Sequence, residues 1–509
     1  MSMRDAFNRA NVWCIGLIFS VQPFLVEVAY FCFFLSRHMT LPIFQQYVRA
    51  EIFKQHGLNV STVQLQNSDL NGSTSSAKYV EAQRESTYTV LSLQLAEGLP
   101  AVVTVVILGA VSDRTGRRKI LLWIPALGGL VYSLIYVLIM YTGWTLDGLF
   151  LASAIRGLSG SMTAFLAGGT YFAINSVAKE KRSSRLAIQE FLNGISYALA
   201  NIMVGYWVKA SGFTQPLWFT VIFASITFLV AFFLVKDIKN EPENSINNRY
   251  TSENCCIDTF KPMGKFFKCH KDKKLIKIWL AVLAFQTYSI VHIGQIDTLV
   301  LYLSGKPMLW ESHRIGTFLS VLMGVAALGT LVTPPVLRNW FSDIHITFGG
   351  LFSKAVGTMW IAVIHNETVL YFAIFLLVLE LIPFPMLRSI VANGFETADQ
   401  GTLFALMHCG ESVSYFLAPF MFQSIYAGTL HYYSGFVFVI SVILLVFPVA
   451  FTIAIKFLDM NQPDRVEYEP MDGETEMCGT DDPVERPADV GERQAISIIP
   501  VGEPRPAAV

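Results

Sequence analysis

Gly109-Ala110-Val111-Ser112-Asp113-Arg114-Thr115-Gly116-Arg117-Arg118-Lys119 lies between one apolar run that ends near Leu108 and another that begins near Ile120. A link this short between two bilayer-length runs demands a tight reversal. Gly109 and Gly116 permit one, with close approach of the flanking helices. Asp113 can cap a neighbouring helix or pair with an arginine. Arg114, Arg117, Arg118 and Lys119 concentrate positive charge in the link, which holds it on the cytosolic face of a membrane.

Working outward, the rest of the chain has the same character. Its 509 residues are 53% hydrophobic, 13% aromatic and only 15% charged, and the mean hydropathy is +0.48. That composition places it with all-α polytopic membrane proteins and leaves the lipid bilayer as its first partner. The net charge of -1 is uninformative because the charges are segregated. There is no basic patch for nucleic acid, and no Walker A, HExxH or GxSxG sequence, so nothing supports an enzyme. Cys255-Cys256 with Cys269-His270 is the nearest approach to a metal set; free or lipidated cytosolic thiols are the expectation there, with no metal and no cofactor.

Twelve stretches of about 20 residues can be drawn as spans: 24–44, 88–111, 119–141, 146–172, 186–209, 216–236, 277–303, 315–337, 344–364, 368–388, 402–427 and 433–457. They divide the chain into a first half, 1–236, with a long first loop at 45–87; a cytoplasmic central loop, 237–276; a second half, 277–458; and an acidic, Pro- and Gly-bearing tail, 459–509, expected to be disordered. Lys179, Lys181, Arg182 and Arg185 in the link after span 4, and Lys261, Lys265, Lys268, Lys271, Lys273 and Lys274 in the central loop, fall on the same face as Arg117 and Arg118. Both termini are therefore predicted to be cytosolic. The sequons at Asn59, Asn71 and Asn366 fall on the opposite face and are candidate glycosylation sites. In the tail, Tyr468-Glu469-Pro470-Met471 fits a YxxΦ sorting signal, which makes a clathrin adaptor a candidate partner.

Ionisable residues inside spans are costly unless paired or wetted, and each is a functional hypothesis. Here they are Glu27, Arg37, His38, Glu97, Arg156, Glu190, His292, Asp297, Lys354, Glu380, Arg388, His408 and Glu411. A histidine beside a carboxylate can titrate near neutral pH, so His292 and Asp297 are candidates for a proton relay, the alternative being a helix-packing histidine bonded to a carbonyl. Arg388 follows Pro383 and Pro385, which are expected to break the span; a broken helix beside a cation is a place to hold an anion, the alternative being a positively charged cytosolic anchor. Glu190 is expected either to take part in proton coupling or to pair with Arg182 or Arg185.

The 109–119 stretch resembles motif A of the major facilitator superfamily, whose members have two six-helix halves around a midplane cavity. Arg156-Gly157-Leu158-Ser159-Gly160-Ser161-Met162-Thr163-Ala164 resembles its motif B on span 4. Three further segments are similar to solute carrier family 46, the proton-coupled folate transporter family: Val291-His292-Ile293-Gly294-Gln295-Ile296-Asp297 through Trp310, Leu387-Arg388-Ser389 with Asp399-Gln400-Gly401-Thr402-Leu403-Phe404-Ala405, and Val26-Glu27 with Pro42 and Gln46-Tyr47. The resemblance implies proton coupling at Glu190 and His292, proton and substrate binding at Arg388, and a conformational gate at Asp113 with Arg114, Gly116, Arg117 and Arg118. Ser161 stands where the family's folate transporter carries an aspartate.

These readings converge on a proton-coupled carrier of organic anions, folate-like carboxylates first, moving them into the cytosol by alternating access. Protons would be the coupling ion. Glu190, His292 and Asp297 would handle the proton, and Arg388, Arg37 and Arg156 would supply positive charge for the anion. The alternatives are a lysosomal exporter of cyclic dinucleotides, peptidoglycan fragments or steroid conjugates, and a non-transporting receptor or trafficking partner with the same fold. Residence is expected in the plasma membrane or in endosomes and lysosomes.

Overall fold

The computed structural model of the chain describes residues 3–57, 73–237, 273–304, 312–394, 400–429 and 435–460, together with 308, 310, 432 and 433. The described residues are helical, with no strand among them. The first half holds α1 (Met3–Gln55), α2 (Ser73–Thr115), α3 (Ile120–Thr142), α4 (Asp147–Leu158), α5 (Ser161–Asn175), α6 (Arg182–Ser211) and α7 (Thr214–Leu229), which winds on as a π-helix over Val230–Leu234. The second half holds α8 (Lys273–Ser304), α9 (Ser312–Leu337), α10 (Asp343–Val363), the short α11 (Glu367–Leu370) and α12 (Ala373–Leu376), α13 (Pro383–Asn393), α14 (Gln400–Thr429), α15 (Phe436–Leu444) and α16 (Val446–Met460).

Among the described residues, nine helical stretches are long and apolar enough to cross a membrane. The predicted spans 186–209, 368–388 and 402–427 fall instead on α6, on α11–α13 and on α14. The reason is chemical: α6 carries Gln189, Glu190, Asn193 and Asn201, and α14 carries His408, Glu411, Ser412 and Ser414. Each of these helices turns a polar face to partners inside the bundle, which lowers its overall hydropathy. Two spans are broken. Gly160 (φ 87°) and Ser161 (φ 47°) adopt left-handed backbone between α4 and α5. Between α12 and α13 the chain runs through turns, and Pro383 opens α13. A proline fits the first turn of a helix because its missing N–H would be unsatisfied there in any case. The prolines thus start a helix that carries Arg388, rather than ending one before it.

Helices α1 and α2 extend into the segment read as a loop at 45–87, and His56 Nε2 lies 2.7 Å from Glu85 Oε2 where they face each other. Asn59, Asn71, Tyr468, Met471 and most of the central loop lie outside the described residues. Asn366 is exposed, and its side-chain oxygen accepts from the N–H groups of Thr368 and Val369 to cap α11.

The halves meet through α6 against α9 and α2 against α14. Small residues set the approach of the first pair: a Cβ on Gly194 would fall 2.8 Å from the Ala327 Cβ, and one on Gly324 would touch Ala198. Toward the end that bears Asp113, one apolar cluster crosses between the halves. It joins Ala167, Ile174 and Leu186 to Phe285, Leu387 and Phe404.

Candidate functional site

The link at 109–119 closes that end. Asp113 pairs with Arg118, and the Arg118 guanidinium sits 4.8 Å over the Tyr171 ring. Gly116 takes φ 65°, a left-handed conformation that favours glycine. The Lys119 N–H donates to Asp237 Oδ1 at 2.7 Å. Burial raises the Asp237 carboxyl above its usual range, and the Lys119 contacts oppose that shift. Arg114 is half-buried in the last turn of α2 and Arg117 is exposed. Arg182, at the start of α6, donates to the Ala392 carbonyl and to Asn393 Oδ1, both at 3.1 Å, so it ties the first half to the end of α13.

Beyond the shared apolar cluster, on each of the helices α5, α6, α8, α13 and α14, the side chains turn to line a cavity between the halves. The register is consistent. On α6 the cluster holds Leu186 and the cavity begins at Glu190; on α14 the cluster holds Met407 and the cavity begins at Glu411. The cavity is thus closed toward Asp113, and its wall continues the other way to Leu93 on α2 and Phe44 on α1.

Its first-half wall carries a charged corner. Arg37 pairs with Glu97 at 3.1 Å, and Arg156 Nε lies 3.6 Å from the same carboxylate, with its guanidinium 4.8 Å over Tyr132. Ser161 donates its hydroxyl to Glu97. Gly157 makes this possible: a Cβ there would fall 2.3 Å from the Glu97 carbonyl oxygen, so only glycine lets α4 approach α2 closely enough. The corner therefore sets two guanidiniums against one carboxylate. Arg37 and Glu97 line the cavity, whereas Arg156 is buried behind them.

A second cluster spans both halves. Arg388, 1% exposed, donates to Glu190 Oε2 at 2.9 Å and lies 3.9 Å from Glu411 Oε1. Its guanidinium stacks 5.2 Å from the Phe285 ring centre. Asn193 donates to Glu190 at 3.1 Å and is bonded in turn to His38. Glu411 Oε2 is 2.6 Å from His408 Nδ1, and His408 Nε2 is 3.4 Å from Thr170 Oγ1. Here two carboxylates share one guanidinium.

No direct hydrogen bond joins His292 and Asp297 among the described residues. Lys354 Nζ, which pairs with Glu380 at 2.7 Å, lies 3.3 Å from His292 Nδ1. Five positions along a helix turn a side chain by about 140°, so Asp297 points away from His292. Both still line the cavity, and Asp297 is exposed within it. Glu190 pairs with neither Arg182 nor Arg185; Arg185 instead bonds Glu27 at 2.6 Å. Arg388, expected to meet the substrate, is held behind the wall by its two carboxylates. Sequence reasoning singled out Glu97, Lys354, Glu380, His408 and Glu411 as charges inside spans but gave them no partners.

The chain matches the family model described as Major Facilitator Superfamily over residues 26–419. It is 26% identical over 429 residues to the lysosomal proton-coupled steroid conjugate and bile acid symporter of Gallus gallus, covering 83% of this chain and 92% of that protein. With the Homo sapiens protein of the same name the identity is 25%, covering 86% and 95%. With the proton-coupled folate transporter of Rattus norvegicus it is 25%, covering 67% and 73%. Among solved structures, the human organic anion transporter matches with a TM-score of 0.66 and 15% identity, over 85% of this chain and 99% of that one. The Escherichia coli fucose:proton symporter matches with a TM-score of 0.58 and 11% identity, over 86% and 99%. With its two helical halves, the cavity between them and this family match, the chain is a multi-pass membrane transporter that belongs to the major facilitator superfamily, with its curated relatives in solute carrier family 46.

Proposed function

We propose that the chain moves amphipathic organic anions together with protons, by alternating access, from the acidic side of a membrane into the cytosol. The observation that carries this reading is the corner at Arg37, Glu97 and Arg156: two guanidiniums against one carboxylate leave an unmatched positive charge on the cavity wall. A carboxylate or sulfate bound there would complete the pairing. Leu41, Phe44, Met162, Met323 and Phe384 add apolar surface to the same cavity, which suits a rigid hydrophobic body on the anion. Steroid conjugates and bile acids have that shape, and they are named for the relatives that match over most of their length. A folate is the second candidate; a folate transporter is also among the relatives.

In the arrangement described, Arg182, the Asp113–Arg118 pair and the shared apolar cluster close one end. If that end is cytosolic, as its arginines and lysines imply, the cavity is the one that loads. Unloading requires the two halves to rock and these contacts to break. Lysosomal residence, as in the names of the steroid conjugate and bile acid symporters, would supply the acid compartment. Asn366 would be glycosylated on that side.

The test is uptake of a labelled steroid sulfate and of labelled folate into cells that carry the chain at their surface, at about pH 5.5 and about pH 7.5. Saturable uptake that is larger at the acid pH supports the reading. Uptake of both probes indistinguishable from vector controls, with surface protein confirmed, would remove it.

A further inference from the structure

We propose that His408 is a proton-binding residue of the transport cycle, holding its proton between Glu411 and Thr170 at the seam between the halves. The inference deepens the proton-coupled reading above and rests on it for its meaning, though not for its first test.

Glu190, Glu411 and Arg388 are each at least 95% buried. Two carboxylates and one guanidinium leave one negative charge unmatched, and a buried unmatched charge is costly. His408, 0% exposed, is the titratable group placed to offset it. Its Nδ1 is 2.6 Å from Glu411 Oε2, so a proton already bridges that pair. A second proton on Nε2 would make the ring an imidazolium and bring the cluster to neutrality.

The groups around the ring allow both states. Nε2 faces Thr170 Oγ1 of α5 at 3.4 Å. A hydroxyl both donates and accepts, so Thr170 can donate to the bare nitrogen or accept from the protonated one without any other group moving. Arg388 of α13 opposes the second proton, and Glu411 of α14 and Glu190 of α6 favour it. From α1, Tyr30 faces the same charges; its hydroxyl has no hydrogen-bond partner among the described residues. From α8, Phe285 meets the ring edge-on at 6.1 Å.

The position gives the proton a consequence. Thr170 and Glu190 belong to the first half, and His408, Glu411 and Arg388 to the second. Glu411 also lines the cavity, so a proton from the cavity reaches the pair without crossing the apolar cluster. The protonated, neutral cluster fits the closed seam. Rocking the halves apart removes Thr170 and Glu190 from His408 and Arg388, and releases the ring proton on the other side.

The first test needs no substrate. The purified chain, labelled with 15N-histidine in lipid vesicles, is followed by solid-state NMR from about pH 4.5 to about pH 8, and His408→Gln identifies the ring's signals by their loss. Two protonated ring nitrogens at the acid end, one at the other, and no second protonation in Glu411→Gln are expected. A ring singly protonated throughout would overturn the proposal. The second test uses the labelled steroid sulfate and folate. In His408→Gln the ratio of uptake at acid to neutral pH should fall from about tenfold toward one, while exchange at equal pH on both sides persists. An unchanged ratio in the variant, beside a pH-driven wild type, sinks the role of His408 alone. A wild type without pH-driven uptake sinks the proton-coupled reading, whatever the ring does.

Discussion

The corner at Arg37, Glu97 and Arg156 and the seam at Glu190, Arg388 and Glu411 are charge mirror images. The first sets two guanidiniums against one carboxylate within one half; the second sets two carboxylates against one guanidinium across both. The first opens on the cavity through Arg37, while the second is buried except where Glu190 and Glu411 reach the cavity wall. Exposure decides what each can accept. An unmatched positive charge on a wide wall suits an anion of many atoms, whereas an unmatched negative charge held among buried side chains suits a proton. If both must be neutral before the halves rock, substrate and proton are coupled by electrostatics, with no direct contact needed between them.

The most severe way to break this comparison is Arg388→Met. It leaves Glu190 and Glu411 buried with no cation between them, and removing one partner of a buried pair costs about 3–5 kcal/mol. Thermal unfolding of the purified protein should show a large drop, partly restored by adding Glu190→Gln. Wild-type stability in the single variant would mean that the carboxylates are already neutral and that the negative surplus does not exist.

Gly157→Ala attacks the positive corner through its scaffold. The new Cβ would press on the Glu97 carbonyl oxygen at 2.3 Å, a backbone atom that cannot swing aside. Overpacking of this kind costs about 1–3 kcal/mol. The expected result is lower thermal stability together with weaker anion uptake, since α4 can no longer hold Arg156 against Glu97. A variant as stable as the wild type would show that α2 and α4 can separate without cost.

How much of this was legible in the sequence depends on the distance between partners. The link at 109–119 could be read because Asp113, Gly116 and Arg118 act on one another within a few residues. The two-half helical architecture could be read because a bilayer imposes its length on each apolar run. The identities of the charged site residues were visible, since each stands out inside a span. Their partners were not: Glu190 meets Arg388 from 198 positions away, and Lys354 meets Glu380 across a broken segment. Of the local pairings considered, Asp113 with an arginine is made, whereas Glu190 bonds Arg388 rather than Arg182 or Arg185, and helical phase separates His292 from Asp297. The extension of α1 and α2 into the first loop was hidden because polar residues there satisfy a helix as readily as a coil, and the apolar pattern marks only the part within the bilayer.

Arg37→Gln sharpens the comparison from the exposed side. Arg37 reaches the cavity, so its loss should leave folding almost unchanged while removing the surplus positive charge. The expected effect is a rise in the transport KM for an anionic probe of about tenfold, or about 1.4 kcal/mol, with Arg37→Lys intermediate because it keeps the charge but not the fork. An unchanged KM would place the anion elsewhere in the cavity.

The smallest expected effect is a difference of about 1 kcal/mol between two variants at Ser161. Its φ of 47° strains a residue with a Cβ, and its hydroxyl donates to Glu97. Ser161→Ala keeps the strain and loses the bond, and should cost about 1.5–3 kcal/mol because the acceptor is charged. Ser161→Gly loses the same bond but relieves the strain, which is worth about 1 kcal/mol, so the glycine variant should be the more stable of the two and nearer the wild type. If the alanine variant unfolds no earlier than the glycine one, the left-handed backbone at 161 carries no strain. The break between α4 and α5 would then rest on Gly160 alone, and Glu97 would owe its place in the corner to the two arginines rather than to the serine.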